Sequence, residues 1–281
     1  MGDAGREAGE VSQEAFQLVA IGIVHSPVAD RRMMPPEGVE AEIEVFPEFA
    51  DGLLRIEENT HIWVLGWFQD ADRSRLQLVR PEYEPARRRR GVFGLRSVAR
   101  PNPIALTATR LLAVEGTRLR VAHLDFVDGT PVIDLKRYSP SWDSIFAARS
   151  SRDRYLIDLA SPERLAEYER EAANFHGERC IGVVLAARLV QYLAASWNVR
   201  PKDDHLVVTV SIANDLRHLA DALQALTGAT FGNGRLTVTR EPVVRFSWEG
   251  RHLTVRPKMS PDLDLDVVRT TPLEQLVDVS S

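Results

Sequence analysis

Two short irregular segments, each pinned by proline and joined by a strand-like apolar run, restrict this chain more than any other feature of it. The first, Arg100-Pro101-Asn102-Pro103-Ile104, carries two prolines one residue apart. Each fixes its own φ and biases the preceding residue toward extended geometry, so the segment is stiff before any ligand arrives. The second runs Leu124-Asp125-Phe126-Val127-Asp128-Gly129-Thr130-Pro131 and has the chemistry of a turn. Val121 to Leu124 and Pro131 to Tyr138 read as the strands that bracket it. Alone, each segment is as well explained by a surface bend or a hairpin turn. Together, two rigid charged bends at strand ends suit a binding site.

Gly-Val-Phe-x-x-Arg-Ser-x-x-Arg-Pro-Asn-Pro-Ile at residues 91–104, followed by Asp-x-x-Asp-Gly-Thr-Pro-x-x-Asp-x-Lys at 125–136, resembles the TrmO-like family of S-adenosylmethionine-dependent methyltransferases. The named activity of that family is N6-methylation of threonylcarbamoyl-adenosine beside the anticodon of certain tRNAs. The resemblance covers roughly residues 18–146, including Ile21 to Pro27 and His61 to Leu65. It implies a small β-barrel that binds S-adenosylmethionine in these loops, often as a homodimer. It also implies no Gly-rich dinucleotide fingerprint, and no G-x-G-x-x-G stands between a strand and a helix here.

The resemblance assigns cofactor binding to Pro35, Pro36, Gln69, Asp70, Arg96, Arg100, Asn102, Leu106, Asp125, Phe126, Val127 and Asp128. A ligand with a sulfonium, a carboxylate, an ammonium and an adenine asks for acids, a base and backbone amides in one cleft. Arg96 and Asp125 or Asp128 supply the charges, with Leu106, Phe126 and Val127 near the adenine or ribose. Methyl transfer itself needs mainly positioning. An N6 acceptor still has a proton to lose, and Asp70, Asp134, Lys136 and Tyr138 are the candidates to assist. For Asp134 and Lys136 an exposed, alternating strand pair reads equally well. Two departures matter. Gln69 stands where the family commonly has His, and an amide can replace that ring as a hydrogen-bonding neighbour but not as a base. Ala105 replaces a usual Gly, which asks for a negative φ and slightly more room.

In chain order, Phe16 to Val24 reads as a first strand ended by Ser26-Pro27, with a turn-rich connection reaching Pro35-Pro36-Glu37-Gly38. Glu40 to Phe46 alternates charged and apolar residues, the period of a strand with one wet face. Pro47 to Ile56 suits a short helix with Glu48 and Asp51 near its positive end. His61 to Phe68 is nearly all apolar, as in a strand covered on both sides at the centre of the barrel.

Charge is segregated. Over the 281 residues the formal net charge is −5, which argues against a protein that coats nucleic acid by charge alone. Yet residues 73–110 carry ten arginines against Glu82 and Glu84. The run Arg87, Arg88, Arg89 and Arg90 could hold RNA phosphates; a solvated loop tip is the plainer reading. No aromatic residue interleaves with those arginines, so base stacking is not indicated there. A single cysteine, Cys180, makes a reducing cytoplasm the default. There is no apolar run of membrane-spanning length, and Met1 to Gln13 is polar and acidic, so residues 1–15 are read as a disordered lead without a secretory signal.

After Tyr138 to Asp143 the alternation stops. Ser161-Pro162 opens a helix, and a domain boundary is expected near residue 152. From Asn174-Phe175-His176-Gly177-Glu178-Arg179-Cys180-Ile181-Gly182 onward the chain resembles the formylmethanofuran dehydrogenase E-component family, over most of residues 165–258. The match continues through Asn214-Asp215 and the stretch from Asp221 to Gly234. Glu178 replaces the second His of the family motif, Ile181 its Pro, and Leu216-Arg217-His218 its later Cys-containing stretch. His176 and Cys180, four apart, would share a face of a helix or its first turn, which is half of a metal site. His218 is the further candidate ligand, for zinc or another divalent ion. Ile181 to Trp197 is apolar nearly all round, as in a core helix that could include a dimer face.

These readings give a mixed α/β chain. A disordered lead (1–15) precedes a small β-barrel methyltransferase-like domain (16–151), an α+β domain (152–260), and a tail (261–281) that packs as an edge strand or stays loose. The leading functional expectation is methylation of a modified adenosine in tRNA. The alternatives are methylation of a small molecule, with the second domain binding substrate or metal, and a cofactor-binding regulatory protein without catalysis.

Overall fold

A computed structural model describes residues 17–258 and 263–280. The expected disordered lead and Phe16 lie outside the described residues. The chain divides into two compact units, one of residues 1–78 and 90–144, the other of residues 79–89 and 145–281. The second unit therefore begins at Ile145, earlier than the boundary expected near 152, and also takes in the segment Val79–Arg89. Each unit has its own apolar core.

The first unit contains β1 (Gly22–His25), β2 (Val39–Val45), β3 (His61–Trp67), β6 (Ile104–Glu115), β7 (Arg118–Leu124) and β8 (Pro131–Arg137); β4 (Gln77–Val79) and β5 (Arg89–Gly91) form a separate two-stranded ribbon whose residues are divided between the units at 78/79 and 89/90. The other six strands close into a barrel in the order β1-β2-β7-β6-β3-β8, and every pairing is antiparallel. Alternation in β2 is realised as written: Ala41, Ile43 and Val45 are buried, while Glu42 and Glu44 face outward and pair with Arg118. β3 is central in its pairing, with neighbours on both edges, but only Ile62, Val64 and Gly66 are buried. Trp63, Leu65 and Trp67 are half-buried on its outer face, so the strand is not covered on both sides. The helix expected after β2 is a 3-10 turn, Pro47–Leu53.

A short helix, α1 (Pro140–Asp143), ends the first unit. The second unit follows with α2 (Ser151–Tyr155), α3 (Pro162–His176), α4 (Ile181–Trp197), β9 (Val207–Ser211), α5 (His218–Thr227), β10 (Leu236–Thr239), β11 (Val244–Trp248), β12 (Arg251–Pro257), α6 (Leu265–Thr270), α7 (Leu273–Leu276) and β13 (Val277–Ser280). Its sheet has the order β10-β9-β11-β12-β13. Ser161 caps α3 by accepting the Arg164 amide at 3.2 Å, with Pro162 in the first turn. α4 packs against α3, α5 and α6 and buries most of its apolar residues inside this unit, while Tyr192, Ala195 and Ser196 stay exposed. Residues 265–280 supply two helices and an edge strand paired with β12. Among the described residues no helix is long and apolar enough to cross a membrane.

One glycine fixes the entry to the barrel. Gly38, at φ +76°, leads into β2, and a Cβ built on it would stand 2.7 Å from the Leu124 carbonyl carbon. A left-handed conformation costs an L-residue about 1–2 kcal/mol before any clash. Gly38→Ala is therefore expected to lower stability by at least about 2 kcal/mol in urea denaturation of the full chain; an unchanged midpoint would refute this account of the β2–β7 junction.

Candidate functional site

Because every barrel strand is antiparallel to its neighbours, successive loops alternate between the two ends. The register pairs Trp67 with Ile104, Gly66 with Val132 and Val39 with Leu124. The β1–β2 loop, the segment leaving β3, the segment entering β6 and the β7–β8 loop consequently meet at one end. There they line a cavity of about 740 Å³. Phe126, buried in the β7–β8 loop, packs edge-on to Phe68 with ring centroids 5.7 Å apart. Gly66 makes room for it: a Cβ at that position would lie 2.8 Å from Phe126 Cε2.

The loops are held by polar contacts that replace regular pairing. Arg100 donates to three carbonyls of its own loop, from Nε to Ser97 at 2.8 Å and from Nη2 to Val92 at 3.0 Å and to Leu95. Arg73 Nε donates to the Pro101 carbonyl at 2.8 Å. Arg96 donates to the Leu106 carbonyl, tying the loop to the start of β6. In the second loop, Thr107 donates to Asp125 Oδ1 at 2.5 Å, and the Ser26 amide donates to Asp128 Oδ1 at 3.0 Å. Irregular backbone cannot be left without partners when it is partly buried, so these bonds set the cavity wall before a ligand enters.

Of the residues assigned to cofactor binding, Pro35, Pro36, Gln69, Asp70, Arg96, Arg100, Leu106, Asp125, Phe126, Val127 and Asp128 line this cavity. Asn102 does not; it sits at the corner, where its carbonyl accepts the Ile104 amide at 2.8 Å. Asp70 is the one proton-transfer candidate that lines the cavity. Asp134 and Lys136 pair with each other at 2.5 Å on the barrel exterior. The register shift opposite Leu65 and Gly66 is the cause, since a bulge at Ile133 lets both Val132 and Leu135 turn inward and sends their neighbours out. Tyr138 follows the far end of β8, roughly 20 Å along the strand from Pro131 at ~3.3 Å per residue. Its ring packs at a tilt against those of His61 and Trp63, and its hydroxyl bonds to Ser144 Oγ at 3.0 Å.

The arginine run is partly committed to structure. Arg87 lies over the Tyr155 ring at 3.9 Å and pairs with Glu84 at 3.8 Å, and Arg88 donates to the Tyr83 carbonyl at 3.3 Å. Arg87 and Arg89 are exposed, and Arg88 and Arg90 are half-buried. Sequence reasoning missed Arg31, Arg32, Trp67, Phe68 and Thr107, all of which line the cavity. Arg31 and Arg32 share the turn-rich connection of Pro35 and Pro36, which was the available clue. Taken as a whole the lining offers both signs of charge, aromatic surface and a preset backbone, which suits a ligand that is zwitterionic at one end and flat and apolar at the other.

In the second unit His176, Cys180 and His218 come together, with one candidate ligand atom from each lying within 4.8 Å of the others. They do not share a helix face. His176 ends α3, Gly177 turns the chain at φ +99°, and Cys180 caps the start of α4.

A family model described as the tRNA-methyltransferase O N-terminal domain matches residues 23–144, and one described as "FmdE, Molybdenum formylmethanofuran dehydrogenase operon" matches residues 175–264. A "probable S-adenosyl-L-methionine-binding protein" of Archaeoglobus fulgidus is 35% identical over 229 residues, 78% of this chain and 60% of the relative. An "S-adenosyl-L-methionine-binding protein" of the same organism is 46% identical over 133 residues, 46% of this chain and 93% of the relative. The "tRNA (adenine(37)-N6)-methyltransferase" of Escherichia coli is 32% identical over 149 residues, 49% of this chain and 63% of the relative. The chain thus spans less than two thirds of the first and third of these proteins. Nearly complete coverage of the second, at an identity well above what chance allows, carries the assignment: through its first unit, the chain belongs to the tRNA-methyltransferase O family.

Proposed function

We propose that this chain is an S-adenosylmethionine-dependent methyltransferase that modifies N6 of threonylcarbamoyl-adenosine in tRNA. The observation that carries the reading is the cavity, to which the 96–107 and 125–131 segments and the end of β3 all contribute. Its residues fit the cofactor. The volume of about 740 Å³ lies within the ~300–1,000 Å³ usual for such ligands. Arg96, which spends one nitrogen on Leu106, retains donors for the carboxylate. Asp125 and Asp128 each keep an oxygen for the ammonium and the sulfonium side, and Phe126 and Leu106 offer apolar surface to the adenine. Arg100, also in the cavity lining, holds the loop in place through the Ser97 and Val92 carbonyls.

The bound cofactor supplies an electrophilic methyl group: the N6 pair forms the new N–C bond while the C–S bond breaks and its electrons stay on sulfur. The protein aligns acceptor and methyl and removes the N6 proton. Asp70, exposed at the end of β3 and facing the cavity, takes that proton, and Gln69 beside it hydrogen-bonds without titrating. Arg31, exposed at the cavity, and the exposed Arg87 and Arg89 contact tRNA phosphates, which favours a cytoplasmic setting where tRNA is found. A small-molecule acceptor is the second reading, favoured by the His/Cys cluster that the second unit carries.

Purified full-length chain is expected to transfer labelled methyl to tRNA bearing threonylcarbamoyl-adenosine and not to tRNA lacking it. Incorporation into small metabolites alone would favour the second reading, and none into any tRNA pool would remove the first. Asp70→Asn should lower turnover by about 10²–10⁴-fold with little change in cofactor affinity; an equal loss of affinity would assign Asp70 to binding. Gly66→Ala, which displaces Phe126, should weaken cofactor binding by on the order of tenfold, ~1.4 kcal/mol, in calorimetry. Arg31→Ala should reduce the salt dependence of tRNA binding by about one unit in log–log slope, and an unaltered slope would place the phosphates elsewhere.

A further inference from the structure

Among the described residues, a group of ligand-type side chains outside the barrel lies where three helices of the second unit meet by their ends. His176 closes α3, Cys180 caps α4 and His218 opens α5. His218 Nδ1 stands 3.0 Å from His176 Nε2 and 3.8 Å from Cys180 Sγ. Tetrahedral ligands at ~2.05 Å for nitrogen and ~2.3 Å for sulfur are separated by about 3.3 Å between two nitrogens and about 3.6 Å between nitrogen and sulfur. Both separations from His218 are close to those of ligands on one ion, and all three donor atoms lie within 4.8 Å of one another.

Two further contacts point the same way. Asp221, one turn along α5, meets His176 Nδ1 at 3.0 Å. A carboxylate there holds the proton on Nδ1, so the Nε2 lone pair is turned toward Cys180 and His218, which is the usual arrangement behind a metal-bound imidazole. Gly182, in the first turn of α4, then lets His218 approach: a Cβ on it would lie 2.6 Å from the His218 Cβ. Without that glycine α5 could not bring its first residue to the cap of α4. The same donors, lacking an ion, could form a His–His hydrogen bond with a nearby thiol, and the test below separates the two.

We propose that His176 Nε2, Cys180 Sγ and His218 Nδ1 bind one divalent transition-metal ion, zinc by preference, with Asp221 as the positioning residue. Two imidazoles and a sulfur exclude magnesium and calcium, which take oxygen, and select zinc and its borderline neighbours. Among the described residues the cluster has three members, the ligand number of zinc sites that leave a position for water or a substrate donor atom. This assignment concerns the second unit and does not depend on what the barrel methylates.

Full-length chain stripped with chelator and titrated with zinc alone should bind one ion per chain by elemental mass spectrometry. Cobalt(II) in its place should give the intense d–d bands of a four-coordinate site together with a sulfur-to-metal charge-transfer band. Cys180→Ser should abolish the charge-transfer band, and His176→Gln or His218→Gln should lower the stoichiometry. Asp221→Asn should keep the stoichiometry and weaken affinity by about 10–100-fold in chelator competition, whereas Glu178→Gln should change nothing. The proposal fails if natively folded wild-type chain binds neither metal, if its cobalt spectrum lacks the sulfur band, or if Cys180→Ser binds as tightly as wild type. Should a ligand variant unfold, the wild-type spectrum and the Asp221→Asn competition still decide.

Discussion

Closure of the barrel around β3 is the constraint from which the cavity follows. β3 is hydrogen-bonded along both edges, to β6 and β8, and this double registration sets which strand ends share a rim. A slip of one residue would exchange the inward and outward faces of the strand, burying Trp63 and Leu65 and exposing Ile62 and Val64. The apolar cost of that exchange holds the register. Once it is held, antiparallel pairing sends the β1–β2 and β7–β8 loops and the segments flanking β3 and β6 to the same end. The glycine at 66 is part of this design, since the missing side chain is the space into which the Phe126 ring fits.

Charged side chains do two kinds of work at that rim. Some close the backbone: Arg100 on the carbonyls of Ser97 and Val92, Asp128 on the Ser26 amide. Such bonds substitute for ladder pairing in segments where proline has removed an amide donor. Others are left with capacity to spare, Arg31 and Asp70 among them, and these give the cavity its mixed charge. A wall organised in advance loses little freedom on binding, which is what a reaction governed by alignment requires. The second unit builds its polar cluster by another route. Helices with apolar faces pack around α4, and their ends, where side chains and unpaired backbone groups gather, converge on one spot.

Much of the barrel was legible along the chain because its physics is local. The period of two in β2, the proline and serine at the start of α3 and the unbroken apolar run of α4 each report a neighbourhood of a few residues. The two loops were legible for the same reason, since proline and glycine restrict the backbone wherever they stand. What escaped was set by partners far away in sequence. The bulge at Ile133, which turns Asp134 and Lys136 to the outside, exists only because β3 lies opposite, and nothing in the strand's own alternation announces it. The half-exposed outer face of β3 and the membership of residues 79–89 in the second unit are of the same kind.

By itself, then, the sequence determined the elements, their caps and the stiffness of the two loops, all of which depend on torsions and periodicity within a few residues. Tertiary structure alone decided which of the candidate side chains face one cavity, leaving Asp70 there and taking Asp134, Lys136 and Tyr138 away. It decided equally that His218 joins His176 and Cys180 across 42 and 38 residues of chain. Composition cannot encode such convergence, because it arises from strand register and from helix ends brought together by packing, and both are properties of the closed fold.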